Sequence, residues 1–265
     1  MNCFTKSNLT KTIAALLFTM VTLTSLNAQD SSAVNSANEI DPSKPTNLYT
    51  QVNVGVEYQS SKTENRYGPR VNVQYALNQN NLFLIEVPLQ YNDRTEKFGI
   101  TDMRVRYFSI LKRNITEKFI AFGTLIDVTA ATGSYEKGLG SSSWSFALGT
   151  IFGILVSKKL SLFPGVSYVY ITKPTSNQIP ENLKTNANGL GLQFNCSYRF
   201  NNSTFLFVNP LPTFLNVKGD WSTNWAGELN LNKILVPNKF KMNIGWSPNF
   251  TQEVYSYKLG ATFFL

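Results

Sequence analysis

Charged side chains recur at alternate positions of segments that are otherwise apolar at every second residue. The acids are Glu57, Glu86, Asp102, Asp127 and Glu228, and the bases are Arg70, Arg104, Arg106, Arg199, Lys241 and Lys258. Carboxylates and guanidinium groups sharing one face have two uses. They pair into a salt-bridge network, or they line a constriction that selects solutes by charge. Little other chemistry is available. The 265-residue chain has no histidine, so a Ser–His–Asp arrangement, an imidazole ligand and an imidazole proton shuttle are all excluded. The remaining metal-ligand types have no clustered spacing. We therefore expect no enzyme activity, no cofactor and no metal site. The Gly-rich stretch Thr132-Gly133-Ser134-Tyr135-Glu136-Lys137-Gly138-Leu139-Gly140 lacks the GxxxxGK spacing and the following helix of a phosphate loop. It reads as an exposed loop. No basic stripe with interleaved stacking aromatics emerges, which argues against nucleic acid as a partner.

The elements that position these charges follow from composition and periodicity. Hydrophobic residues make up 43% and aromatics 13%, but charged residues only 15%, against about 25% in soluble domains. Such aromatic content is foreign to disordered chains. Residues 1 to 28 read as a secretory signal. Lys6 and Lys11 lead, Ile13 to Leu23 form a short apolar run, and Leu26-Asn27-Ala28 precedes Gln29 as a cleavage site. Cleavage removes Cys3 and leaves Cys196 alone, so no intramolecular disulfide forms. Residues 29 to 46 are polar and aperiodic and read as a flexible leader. No later stretch is apolar for the length a spanning helix needs.

From residue 47 to 265 the period is two. Val52, Val54, Val56 and Tyr58 share one face, and Gln51, Asn53, Gly55, Glu57 and Gln59 share the other. About twelve such segments follow, near 47–60, 67–78, 82–92, 100–111, 118–130, 143–156, 160–172, 188–200, 203–215, 221–232, 239–248 and 253–265. Their lengths exceed the usual 5–6 residues of soluble strands and match strands that cross a bilayer. Their non-apolar faces are small and neutral-polar, with the charges above among them. Short and long connections alternate, as in outer-membrane barrels, and 131–142 and 173–187 are long. Soluble sandwiches and barrels share the period but bury their apolar face.

Aromatics gather at strand ends on the apolar face. Tyr58, Tyr91, Trp144, Tyr170, Trp221, Trp246 and Tyr255 would mark one rim, and Tyr75, Tyr107, Tyr198, Phe240 and Phe263 the other. Two aromatic girdles are expected of a membrane barrel. Tyr257, Leu259, Phe263 and Leu265 alternate to the last residue and resemble the C-terminal assembly signal of outer-membrane barrels, with Leu265 where Phe is commoner. Pro88 and Pro164 sit mid-strand, where each removes a ladder donor, so bulges are expected there.

One stretch carries a family resemblance. Gly99-Ile100-Thr101-Asp102, then Arg106-Tyr107, precedes a strand ending in Ala131-Thr132-Gly133-Ser134. Over about residues 85 to 145 this resembles outer-membrane "transporter" proteins of the phenol-degradation meta-pathway family, with Ala131 where that family carries Pro. The resemblance implies a barrel that passes small aromatic or apolar solutes.

The expectation is an all-β protein, a transmembrane antiparallel β-barrel of about twelve strands in the bacterial outer membrane. Its partners would be the lipid bilayer, outer-membrane lipids, the barrel-assembly machinery and small solutes. The leading function is passive passage of small solutes through a narrow charged lumen, with Glu57, Arg70, Glu86, Asp102, Arg104, Arg106, Asp127, Arg199, Glu228 and Lys241 as lumen or constriction candidates. The alternatives are a plugged structural or binding barrel that meets an external partner through its long loops, a histidine-free enzyme, and a soluble secreted binding protein.

Overall fold

The structure, a computed structural model, describes residues 40–265. The signal read over residues 1 to 28 and the first part of the leader lie outside the described residues. Strands β1 (Gln51–Ser60), β2 (Asn65–Asn78), β3 (Asn81–Asn92), β4 (Lys97–Ile100), β5 (Met103–Arg113), β6 (Phe119–Ala130), β7 (Ser145–Leu155), β8 (Leu160–Ile171), β9 (Ala187–Asn201), β10 (Thr204–Val217), β11 (Asp220–Val236), β12 (Phe240–Asn249) and β13 (Val254–Phe264) pair antiparallel around one sheet. β13 pairs back onto β1 over ten registers, from Gln51 opposite Phe264 to Ser60 opposite Tyr255, and closes the barrel. Closure leaves no unpaired sheet edge, the condition for strands to lie in lipid.

β4 and β5 both pair with β3, at Leu89–Asn92 and at Asn81–Glu86. They are two halves of one stave, broken at Thr101 and Asp102. The thirteen strands therefore make twelve staves, the even number expected of such barrels. Each segment found from periodicity is a strand, including those at 160–172 and 203–215. The limits move where pairing rather than pattern decides them. β1 begins at Gln51, where its ladder to β13 begins, and β11 runs on to Val236.

Rows across the sheet explain which face points out. Val54 sits opposite Val71 and Ala261, and Ile244 opposite Leu231 and Leu259. Such rows are apolar throughout and exposed, with Ile244 at 62% and Leu148 at 61%. In water that exposure would cost about 25 cal/mol per Å²; against acyl chains it costs nothing. Aromatics cluster on the same face. Tyr58 stacks with Tyr257 and Tyr67 meets Tyr91 near one end, while Phe83 meets Tyr107 and Phe240 meets Phe263 near the other.

The connections alternate about the barrel. Those at 61–64, 93–96, 131–144, 172–186, 218–219 and 250–253 lie at one end, termed outer here. Those at 79–80, 114–118, 156–159, 202–203 and 237–239 lie at the inner end with residue 40, and the two longest, 131–144 and 172–186, are both outer. Register shifts occur at Ala76/Asn78, Ile110/Lys112, Phe119/Ala121, Thr204/Phe205 and Ile234/Val236, and prolines interrupt further ladders. The β7–β8 register skips Phe163 and Pro164, and the β9–β10 register has no pairs between Val208 and Thr213, the span of Pro210 and Pro212. A proline nitrogen has no hydrogen to offer the neighbouring strand. At Pro88 the β2–β3 register holds on one side, opposite Arg70, and resumes only at Tyr91 on the other.

Candidate functional site

The inward positions of six adjacent staves carry a continuous ladder of opposite charges. Arg70 on β2 reaches Glu57 on β1 at 3.0 Å and also binds Glu86 on β3. Lys258 on β13 approaches Glu57 at 3.9 Å. On the next staves Asp127 of β6 takes two arginines of β5. Arg104 donates from Nε at 2.8 Å and from Nη2 at 2.5 Å, and Arg106 donates from Nε at 2.9 Å. Strand alternation alone puts Arg104 and Arg106 on one face, and the register sets Arg106 opposite Asp127. Glu57 and Asp127 are each 8% exposed, while the arginine side chains keep 34% and 31% exposure. The acids thus form the wall and the guanidinium groups border the open lumen. Glu228, on β11, faces into the same lumen from far around the sheet and has no salt bridge among the described residues.

The other lumen candidates lie elsewhere. Asp102 sits at the break between β4 and β5 and accepts from Gly133 N at 3.0 Å, Ser141 N at 2.8 Å and Ser141 Oγ at 2.8 Å. It ties loop 131–144 to the wall. Thr132 Oγ1 adds a bond to Thr101 O at 2.8 Å, and Asn92 Nδ2 one to Gly138 O at 3.0 Å. The two parts of the family-like motif, Gly99–Asp102 and Ala131–Ser134, therefore meet here. Leu139 is 1% exposed beneath them. Below the loop opens a cavity of about 350 Å³ that includes Glu57, Gln59, Arg66, Gln90, Thr101 and Asp102. At its outer edge Glu64 is held by Arg66 Nε at 2.7 Å and by Arg94 at 2.9 Å. Burial alone would push the Glu64 carboxyl up, but hydrogen bonds from Asn92 and Arg66 and the charges of Arg66 and Arg94 hold it below the ordinary glutamate range.

Arg199 lies at the inner end, bound to Asp41 and to Ser43 Oγ at 2.6 Å, while Ser197 Oγ donates to Ser43 O at 2.5 Å. The Ile40 amide donates to Asn238 Oδ1 at 3.1 Å. Pro45 and Thr46 face Phe108, Ile110 and Phe163. Residues 40–49 thus run from the β11–β12 turn past β9 to β5 and β8 before entering β1, across the inner end of the lumen. Nothing in their composition announced this. Asp41 and Ser43 meet polar partners on β9, and a polar segment is also how a free leader reads. Lys241, also at this end, donates to Asn232 Oδ1 at 2.9 Å and lies 5.6 Å over the Phe205 ring, with no acid paired to it among the described residues. The rest of the lumen wall carries Asn, Gln, Ser and Gly, with apolar side chains such as Phe108, Ile110, Phe163 and Phe205 packed inside the barrel toward its inner end. The side-chain oxygens of Asn72, Asn195, Asn209 and Asn224 are buried and meet no protein donor.

Tyr257, Leu259, Phe263 and Leu265 all point outward from the closing strand and its end, between 44% and 66% exposed.

No family model matches the sequence, and a search of curated proteins gives no match. Solved structures do match the fold. An outer membrane channel from Pseudomonas putida F1 superposes with a TM-score of 0.59 at 15% identity, covering 88% of this chain and all (100%) of that one. The NanC porin gives 0.56 at 12% identity, over 81% of this chain and 100% of its own. The KdgM porin in complex with oligogalacturonate gives 0.50 at 11%, over 80% and 98%. At these identities the likeness is one of fold, that of the outer-membrane β-barrels.

Proposed function

We propose that this chain is an outer-membrane channel that passes small solutes by diffusion through a narrow, charged lumen. The observation that carries the reading is the separation of faces. Every ion pair of the Lys258–Glu57–Arg70–Glu86 and Arg104–Asp127–Arg106 ladder points inward, while the outward rows are apolar. A charge on the lipid face costs roughly 2–4 kcal/mol at the midplane, so the ladder belongs to a water-filled interior. The neighbours in fold that are channels and porins support a non-enzymatic role. The chain would be exported, cleaved near Ala28, and folded into the outer membrane by the barrel-assembly machinery acting on the C-terminal signal at Tyr257, Leu259, Phe263 and Leu265.

Planar-bilayer recording of refolded residues 29 to 265 tests this. Discrete, reproducible current steps are expected; silence from protein that still migrates as a folded barrel on unboiled gels would remove the channel. A second reading has its own observation. Residues 40–49 lie across the inner end, and a lumen permanently closed there would make this a binding barrel working through loops 131–144 and 172–186. The resemblance over residues 85 to 145 favours aromatic or apolar solutes, whereas the charged lumen favours polar ones.

A further inference from the structure

Around a ring of twelve staves the stave of β5 is fourth and that of β11 is tenth, six apart in either direction. Arg104 and Arg106 therefore face Glu228 across the lumen. The two sides are not equivalent. On the β5–β6 side two guanidinium groups share the single carboxylate of Asp127, which leaves one positive charge in surplus. On the β11 side Glu228 stands opposite Asn209 in register, with no cation bonded to it among the described residues. Glu228 is near enough for its charge to act on both arginines. The remaining ladder, Lys258–Glu57–Arg70–Glu86, balances two cations against two anions on adjoining staves.

We propose that this band of the lumen selects small zwitterionic solutes, those with an ammonium and a carboxylate a few ångströms apart, by the transverse field between the Arg104–Arg106–Asp127 group and Glu228. The inference rests on the channel reading above. Its physics is a difference between monopoles and dipoles. The two poles sum to zero, so a simple anion drawn to the arginines is repelled by Glu228, and a simple cation meets the reverse. A zwitterion turned across the lumen gains at both poles at once, its carboxylate taking the guanidinium hydrogens in a charge-assisted bond. In a lumen narrower than bulk solvent, with low-dielectric walls, these attractions are weakly screened. Water must be shed from both ends of the solute, and both ends find a partner of opposite charge.

Liposome swelling compares β-alanine, a zwitterion, with propionamide, a neutral solute of similar size, across the refolded chain and its variants. The unaltered protein is expected to pass β-alanine roughly three- to ten-fold faster. In Glu228→Gln the ratio should fall to about one, and the bilayer reversal potential should move toward anion selectivity. In Arg106→Gln the ratio should also fall, with the reversal potential shifted toward cations. Heat-modifiable migration on gels shows that each variant is folded before it is read. A ratio near one in the unaltered protein, or a ratio that Glu228→Gln leaves in place, overturns the zwitterion inference while the propionamide flux upholds the channel. Absence of flux for every solute and for ions overturns both.

Discussion

Asp127 carries more of the lumen than any other side chain. It is the sole acid for two arginines that strand alternation sets two residues apart on one face. Glu57 and Arg70 are less exposed to such a loss, because each has two partners in the ladder. Replacing Asp127 with Asn keeps the volume and leaves Arg104 and Arg106 as like charges with no carboxylate bonded to them. Leaving a charged group unsatisfied costs about 1–3 kcal/mol, toward the lower end here because a third of each arginine side chain is exposed to the lumen. Asp127→Asn is expected to lower the temperature at which the compact band on unboiled gels is lost, and to raise anion selectivity. An unchanged transition would mean that solvent in the lumen replaces the carboxylate fully. The identity of these charges was legible in the sequence, since parity alone places them inward. Their partners were not. Arg106 opposite Asp127 depends on the register between β5 and β6, which no local pattern prints.

Among the elements, the outer loops are built less by their own sequence than by what ties them down. Loop 131–144 reads as a Gly-rich exposed segment, yet Asp102, Asn92 and Thr132 fasten it to the wall and bury Leu139. Gly133 and Gly140 approach each other so closely that a Cβ on either would collide with the other's backbone. The Glu64 carboxylate, held by Arg66 at the start of β2 and Arg94 in the neighbouring loop, gives this end a pH dependence. Its carboxyl titrates below the ordinary glutamate range in the folded protein. The stabilisation is therefore complete above the ordinary value of about 4.3 and is lost as pH falls through the lower folded value. Amide exchange in residues 61–64 and 93–96, corrected for its intrinsic pH dependence, is expected to lose protection on acidification below pH 4. A Glu64→Gln variant should show that lower protection already at pH 7. Equal protection in both proteins at pH 7 would leave the Arg66 and Arg94 contacts without weight.

At the scale of the whole molecule, the decisive fact is that the apolar surface faces away from the chain. A soluble barrel with the same period would bury Ile244, Leu148 and Leu259; here they are exposed at 62%, 61% and 47%. Ile244 lies in the middle of β12 with leucines on both flanking strands. Ile244→Lys is expected to cost about 2–4 kcal/mol of folding stability in lipid, seen as a lower urea midpoint in vesicles. If the midpoint stays in place, Ile244 does not face acyl chains. The same global view gives residues 40–49 their meaning. They run across the inner end only because the barrel brings β9, β5 and β8 round to meet them.

By itself the sequence determined the absence of imidazole chemistry, the number of staves and the face each side chain takes. The last two follow from a period of two, which is a property of neighbours along the chain. Only the tertiary structure decided which charges pair, that Asp102 anchors a loop, that Arg199 holds residues 41 and 43, and that Glu228 faces Arg104 and Arg106. Those are relations between staves up to half a barrel apart. They are fixed by strand register and by closure of β13 onto β1, and each register is the sum of many weak cross-strand choices rather than the signature of any one residue.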